Sequence, residues 1–221
     1  MPDLRERWRS RWFQWLHAAV YDSVVEDERL ARVLGRLLWG VDADMLYRDI
    51  ARLAGEPDGS AILDIPCGGG IALRGLRPDQ RLRYVASDLS PVMLRRARAE
   101  AGRRGLDWIE LVEADVEALP FADGTFDLCV SYTGLHCFPD PAAALREIGR
   151  VLRSGGELRG SCVARGSGVR QDALVHLGQM AGVFGPCATL AELESWLAGA
   201  GLVAIDTARD GALAYFSARR S

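Results

Sequence analysis

The sequence predicts a doubly wound α/β fold: a mostly parallel, seven-stranded sheet with helices on both faces and a C-terminal antiparallel hairpin. Three observations carry this. An apolar run from Ala61 to Ile65 leads into the glycine cluster Cys67-Gly68-Gly69-Gly70. From there strand-like and helix-like stretches alternate as far as Ala200. Two short β-rich runs, Leu202 to Thr207 and Ala212 to Ser217, then stand close enough in the chain to pair.

Residues 1–20 carry Trp8, Trp12, Trp15 and Ala19 at helical spacing with arginines between, which reads as an amphipathic helix. Its aromatic stripe either packs on the main domain, lidding a ligand, or lies on a membrane surface or partner. Leu30 to Leu38 and Met45 to Leu53 read as two further helices around Gly40, and Glu56-Pro57-Asp58-Gly59 as a turn. Ala61 to Ile65 is apolar except for Asp64, as a strand covered on both faces should be. The glycines permit a tight turn and a close approach to a ligand, and Ile71 onward can open a helix whose N–H groups face it. Leu82 to Ser87 is the second strand; Ser90-Pro91 then starts a helix, with serine as cap and proline in the first turn. Trp108 to Glu113 and Phe126 to Ser131 are the third and fourth strands, and Pro141 to Leu152 is a helix. Ser154-Gly155-Gly156 reads as a turn into a fifth strand, Glu157 to Val163, followed by helices over Gln171 to Ala181 and Leu190 to Ala200. The expected organisation is one domain, with 1–58 a helical cap and 59–221 the α/β core.

Composition bounds the chemistry. The chain has 221 residues, 49% hydrophobic, with a net charge of −3, which argues against a general nucleic-acid binder. No stretch suggests a membrane span or a secretory leader. Five cysteines without a CxxC pair or zinc spacing read as reduced thiols, so a cytoplasmic protein without a metal site is expected. All 27 basic residues are arginine, and the chain contains neither lysine nor asparagine. That removes the P-loop lysine, the kinase strand lysine and Schiff-base chemistry.

The polar residues gather at the predicted strand ends. The first strand brings Asp64, the second Asp88, the third Asp115 and the fourth Ser131 and Tyr132. In an open α/β sheet ligands bind beyond those ends. Three carboxylates beside a glycine turn suit a ligand with a ribose, an amine and a positive charge, and repel a phosphate.

These stretches resemble the motifs of class I S-adenosylmethionine-dependent methyltransferases, which share a Rossmann-like fold. Leu63-Asp64-Ile65-Pro66-Cys67-Gly68-Gly69-Gly70 is similar to the first motif, and Ser87-Asp88-Leu89-Ser90-Pro91-Val92-Met93-Leu94 to the acidic-residue motif. Ala114-Asp115-Val116-Glu117-Ala118-Leu119-Pro120-Phe121 resembles the adenine-side motif. Asp123 to Leu128 and Leu135 to Asp140 resemble the fourth-strand region, and Leu152 to Leu158 the turn into the fifth strand. The likeness runs from about Ala61 to about Cys162 and is nearest the ubiquinone and menaquinone methyltransferase branch. It implies S-adenosylmethionine as cofactor, S-adenosylhomocysteine as product and a small molecule as methyl acceptor on O, N or C. It also implies roles. Asp64 and the backbone of Cys67, Gly68, Gly69 and Gly70 would hold the methionine end. Asp88 would take the ribose hydroxyls, with Leu89 and Met93 against the adenine. Asp115 and the Val116 N–H would meet the adenine edge, and the Ser131 carbonyl the ammonium. Pro66 stands where the family most often has a glycine and has no N–H to offer.

The catalytic candidate is His136, which lies just past the fourth strand; it acts as a general base or orders its loop. Tyr21 and Tyr132 are candidates to line or gate the pocket. Arg165 either meets an anionic acceptor or is a solvated loop charge. Rival functions are a protein that binds the cofactor without chemistry and a nucleotide-sugar or nicotinamide enzyme; the Asp115-Val116 motif weighs against the latter. Ser131-Tyr132-Thr133-Gly134 lacks the acidic or amide residue and prolines of nucleic-acid base methylation, and a metal-dependent catechol type would need asparagine.

Overall fold

The computed structural model describes Val33 and residues 35–221. Its centre is a seven-stranded sheet in the order β3-β2-β1-β4-β5-β7-β6. β1 (Ala61–Asp64), β2 (Arg83–Asp88), β3 (Glu110–Glu113), β4 (Phe126–Tyr132) and β5 (Leu152–Val163) run parallel, whereas β7 (Leu213–Arg220) is antiparallel to both β5 and β6 (Leu202–Asp210). Strand order reverses between β1 and β4, where a doubly wound sheet opens a crevice.

The alternation of side chains decides which layer covers which face. Leu63, Val85, Cys129, Leu158 and Phe216 point to one face, against α3 (Pro141–Val151) and α5 (Leu190–Gly199) through Ala144, Leu145, Ile148, Leu193 and Leu197. Ile62, Tyr84, Ala86, Leu128, Val130 and Tyr132 point to the other, against α1 (Ala43–Ala51) and α2 (Pro91–Arg103) through Leu46, Ile50, Ala97 and Ala101. Ile62 and Leu63 are both fully buried, which is why β1 reads as continuously apolar. The remaining helix, α4 (Val169–Met180), sits between β5 and α5 in the chain. No described helix is long and apolar enough to cross a membrane.

Local chemistry explains the helix starts. Ser90 caps α2 by accepting from the Met93 N–H, and Pro91 occupies its first turn. Asp140 does the same for α3 from the Ala143 N–H, again with proline in the first turn. Thr189 and Glu192 form a reciprocal capping box on α5.

Three expectations change. The helix expected after the glycine turn is a single 3₁₀ turn, Ile71–Gly75. Gly75 ends it, packed so closely on α1 that a Cβ would fall 2.0 Å from the Ile50 carbonyl oxygen. The turn expected at Ser154-Gly155-Gly156 lies inside β5, which starts at Leu152 and shifts register between Phe126 and Leu128 of its neighbour. The glycines make a bulge there, with Gly155 at φ 74°. Before α1, Gly35–Trp39 winds as a π turn. The stripe of Trp8, Trp12 and Trp15, and Tyr21, lie outside the described residues.

Candidate active site

Beyond the C-terminal ends of the parallel strands lies a cavity of about 430 Å³. Strand order sets its two sides. From β2 and the loop after β3 come Asp88, Leu89, Ser90, Met93, Ala114, Asp115 and Val116. Pro66 and Gly68 after β1, and Tyr132, Thr133 and His136 at the end of β4 and just beyond, lie in the middle. From β5, β7 and the turn before it come Val163, Ala212 and Leu213, and from the loop between α4 and α5 Val183 and Phe184, joined by Trp39, Val41, Leu46 and Tyr47 from the segment before and within α1. Among the described lining residues the charged side chains are Asp88 and Asp115, and none is arginine.

Asp88 ends β2 and is 8% exposed. Its carboxylate accepts from the Gly68 N–H at 3.0 Å and the Ser90 N–H at 2.8 Å. Gly68 can turn its amide this way because its φ is 52°, a left-handed conformation natural to glycine. Burial pushes the Asp88 carboxyl up to about 6, while the backbone amides pull it down. Each carboxylate oxygen has two acceptor sites, so two amides leave capacity for two more donors. Asp115 accepts from the Glu117 N–H at 3.0 Å, which shapes the loop carrying Val116 into the cavity.

Asp64 ends β1, next to the lining residue Ile65, and is 1% exposed; it does not itself line the cavity. It accepts from the Tyr84 hydroxyl at 3.0 Å. Burial pushes its carboxyl up to about 7; Tyr84 pulls it down and the Asp88 charge raises it. Cys67 is buried, its N–H donating to the Ser87 carbonyl at 2.8 Å, and the Gly70 N–H donates back to the Cys67 carbonyl at 2.9 Å, which closes the turn around Gly69. Ser131 is 1% exposed and its Oγ has no hydrogen-bond partner among the described residues. Gly134 lies against it: a Cβ there would fall 2.6 Å from that Oγ and 2.3 Å from Pro66 Cδ.

Tyr132 donates its hydroxyl to Asp49 of α1 at 2.9 Å, tying the segment before β1 to the sheet. Thr133 holds φ 51°, unusual for a β-branched residue, with its N–H on the Ser161 hydroxyl at 3.2 Å. Strain kept at a cavity wall is a common mark of a functional site.

His136 is 6% exposed, in the short 3₁₀ turn Leu135–Cys137. Its Nδ1 accepts the Val163 N–H at 3.1 Å. The neutral ring therefore carries its proton on Nε2. Of the two expected roles, general base or loop-ordering, this bond favours the second. A base must offer a lone pair, and the one at Nδ1 is already taken by a backbone amide. The Phe184 ring packs edge-on against the imidazole, centroids 5.2 Å apart, and on its other side meets Trp39 at 6.1 Å.

Arg165 departs from its candidate role at the acceptor. It does not line the cavity; its guanidinium donates to the Cys187 carbonyl at 2.6 Å and pairs with Glu192 at 2.7 Å, tying the β5 loop to α5. Trp39, Phe184 and Tyr84 were not singled out from the sequence. For Phe184 the available signal was an aromatic in the glycine-bracketed loop Gly182-Val183-Phe184-Gly185.

Residues 63–159 match the methyltransferase domain family, from the end of β1 into β5 and over the lining residues from Ile65 to Pro139. Over that stretch the chain is similar to the class I S-adenosylmethionine-dependent methyltransferases. A demethylmenaquinone methyltransferase of Thermus thermophilus is 41% identical over 128 residues, covering 57% of each chain. A malonyl-[acyl-carrier protein] O-methyltransferase of Pseudescherichia vulneris is 35% identical over 150 residues, 66% of this chain and 57% of that one. The chain spans about half the length of the curated relatives it matches. The solved phosphoethanolamine N-methyltransferase 2 of Haemonchus contortus, held with phosphomonomethylethanolamine and S-adenosylhomocysteine, superposes with a TM-score of 0.69 at 15% identity, over 81% of this chain and 53% of that one. At that identity the likeness is one of fold.

The lining residues fit the methyl donor of the methyltransferases that the chain resembles. S-adenosylmethionine carries a ribose, an ammonium and a sulfonium, which suit carboxylates and suit arginines poorly. Asp64 and Ser131 do not line the cavity themselves but precede the lining residues Ile65 and Tyr132, and the Ser131 Oγ is a buried polar atom with no hydrogen-bond partner among the described residues.

Proposed function

We propose that this chain transfers a methyl group from S-adenosylmethionine to a small, uncharged and largely apolar acceptor. The observation that carries the reading is the polarity split of the cavity. Carboxylates stand on its β2 and β3 side, and Trp39, Val163, Val183, Phe184 and Leu213 on the other. Asp88 would accept from the two ribose hydroxyls, with Leu89 and Met93 against the adenine and Asp115 and the Val116 N–H at its edge. Asp64, the turn from Cys67 to Gly70 and the Ser131 carbonyl would hold the methionine end. The bound donor supplies a methyl group already activated by its sulfonium.

The chain's own part is then alignment and exclusion of water, which supply much of the acceleration in such displacements. Phe184 and Trp39 would press the acceptor toward the donor. His136, with its proton on Nε2, would orient the acceptor or its loop rather than take a proton from it. Residues 1–58 are read as a cap on the 59–221 core, since Trp39, Val41 and Leu46 of that segment line the cavity. The relatives' names pair methyl transfer with acceptors as unlike as demethylmenaquinone and malonyl-[acyl-carrier protein], so the choice of acceptor rests on the lining.

The test is a screen with methyl-labelled S-adenosylmethionine against neutral phenols and quinols, amines, and anionic phenolates bearing sulfate or phosphate. Label should enter neutral apolar acceptors and leave anionic ones untouched. Preference for the anionic set would refute the polarity argument. Binding of the donor with no transfer to any acceptor would favour a regulatory subunit that holds the cofactor without chemistry.

A further inference from the structure

We propose that Tyr84 is a positioning residue for the donor: its buried hydroxyl favours the charged form of the Asp64 carboxylate at the end of β1, and so sets the pH range over which a cationic ligand binds. This rests on the reading of the cavity as an S-adenosylmethionine site.

The geometry is specific. Tyr84 of β2 is fully buried and its hydroxyl lies 3.0 Å from Asp64 Oδ2. In the ladder Asp64 stands beside Ala86, and Tyr84, two residues earlier, shares that residue's face of the sheet. The other polar groups around that face are of the wrong sign or engaged elsewhere. From β2 comes Asp88, a second carboxylate, which disfavours a charge on Asp64. The turn after β1 brings the buried Cys67 thiol. From β4 comes Tyr132, but its hydroxyl is committed to Asp49 of α1. Arg74, on the 3₁₀ turn, has its guanidinium 5.9 Å over the Tyr47 ring. Arg159 of β5 is buried between Glu56 and Glu157. Among the described residues the Tyr84 hydroxyl is thus the one side-chain donor on Asp64.

A buried carboxylate with one neutral donor is a poor resting place for charge. Burial accordingly pushes Asp64 up to about 7. Tyr84 itself is pushed well above the usual phenol range, so it remains a donor throughout the working pH range. A ligand ammonium would pair with the charged form alone. Below the carboxyl's midpoint a proton must leave before the ligand binds, and affinity falls by up to about tenfold for each pH unit. Removing the hydroxyl would make the charged form harder to hold and move that midpoint upward. A residue that merely filled space would change affinity equally at every pH.

The experiment is calorimetry of S-adenosylhomocysteine on the full chain between pH 6 and 9, for wild type, Tyr84→Phe and Asp64→Asn. Wild-type affinity should level off above about pH 7 and fall below it. In Tyr84→Phe the same break should move up by about one to two pH units, the worth of a hydrogen bond to a charged group. At pH 9 that variant should come back to within about threefold of wild type. Asp64→Asn should bind weakly, with the break gone and only the ligand amine's own titration left. A Tyr84→Phe curve parallel to wild type overturns the proposal, as does a wild-type curve without the break. Binding at no pH would instead remove the cofactor reading on which it rests. Should Tyr84→Phe fail to fold, carbon-13 NMR of the wild-type carboxyls decides. Two carboxyls, Asp64 and Asp88, should titrate near neutrality without ligand, and the one that is lost in Asp64→Asn should cease to titrate in the wild type when S-adenosylhomocysteine is added; its absence overturns the proposal.

Discussion

Replacing Asp64 by asparagine should make the ligand-free protein progressively more stable, relative to wild type, as the pH rises. The direction of the perturbation fixes the sign. The Asp64 carboxyl is raised in the folded protein from 3.8 to about 7 by burial. A raised carboxyl contributes stability that is fully present below the unfolded-state value and is lost as pH climbs through the folded one. At about 1.4 kcal/mol for each pH unit, the interval amounts to about 4 kcal/mol between pH 4 and pH 8. Asparagine lacks this titration. It can still accept from Tyr84 through its amide oxygen, but it buries an NH₂ group at a cost of about 1–3 kcal/mol at every pH. The variant should therefore be the weaker protein near pH 4 and the stronger one by pH 8. Asp88 shares the site, so the two carboxyls titrate as a pair and the difference between variant and wild type is the quantity to read. Urea unfolding of both proteins at four pH values from 4 to 8.5 gives it directly. A difference that stays constant across that range would refute the claim that Asp64 is an acid buried without an ionic partner.

Other outcomes can be checked independently. Asp88→Ala should weaken S-adenosylhomocysteine binding by roughly 1–3 kcal/mol, read by calorimetry, because it strands the Gly68 and Ser90 amides and removes the acceptor proposed for the ribose hydroxyls. Phe184→Ala should leave cofactor affinity within about threefold but raise KM for an apolar acceptor about tenfold, since the ring faces Trp39 and His136 on the acceptor side. His136→Gln should keep the shape of the pH–rate profile and lower turnover by less than about tenfold; loss of a neutral ionisation with a fall of about 10²-fold or more would restore the general base.

How much could be read from the chain depended on how local each cause was. β1, the glycine turn and the Ser90-Pro91 helix start were legible because each is set by neighbouring residue types. Asp88 and Asp115 were legible as strand-end acids for the same reason. The 3₁₀ turn after Gly70 was not, because Ile71-Ala72-Leu73-Arg74 looks helical and the limit comes from Ile50, twenty-five residues before Gly75 in the chain. The bulge in β5 looked like a turn, since glycines suit both, and only pairing with β4 tells them apart. Arg165 looked available because its partner Glu192 lies on a later helix. Trp39 and Phe184 meet across most of the chain, and no spacing rule joins them. The backbone bond from Val163 that occupies the His136 Nδ1 is encoded by no residue pattern.

The central claim is that the cavity beyond β1, β2 and β4 takes S-adenosylmethionine. Calorimetry of the purified full chain with S-adenosylhomocysteine at pH 8 tests it most directly. A dissociation constant on the order of micromolar, about −8 kcal/mol, with one ligand per chain is the expected result. A folded protein that releases no heat with that ligand or with S-adenosylmethionine, and whose unfolding temperature neither ligand shifts, would contradict it.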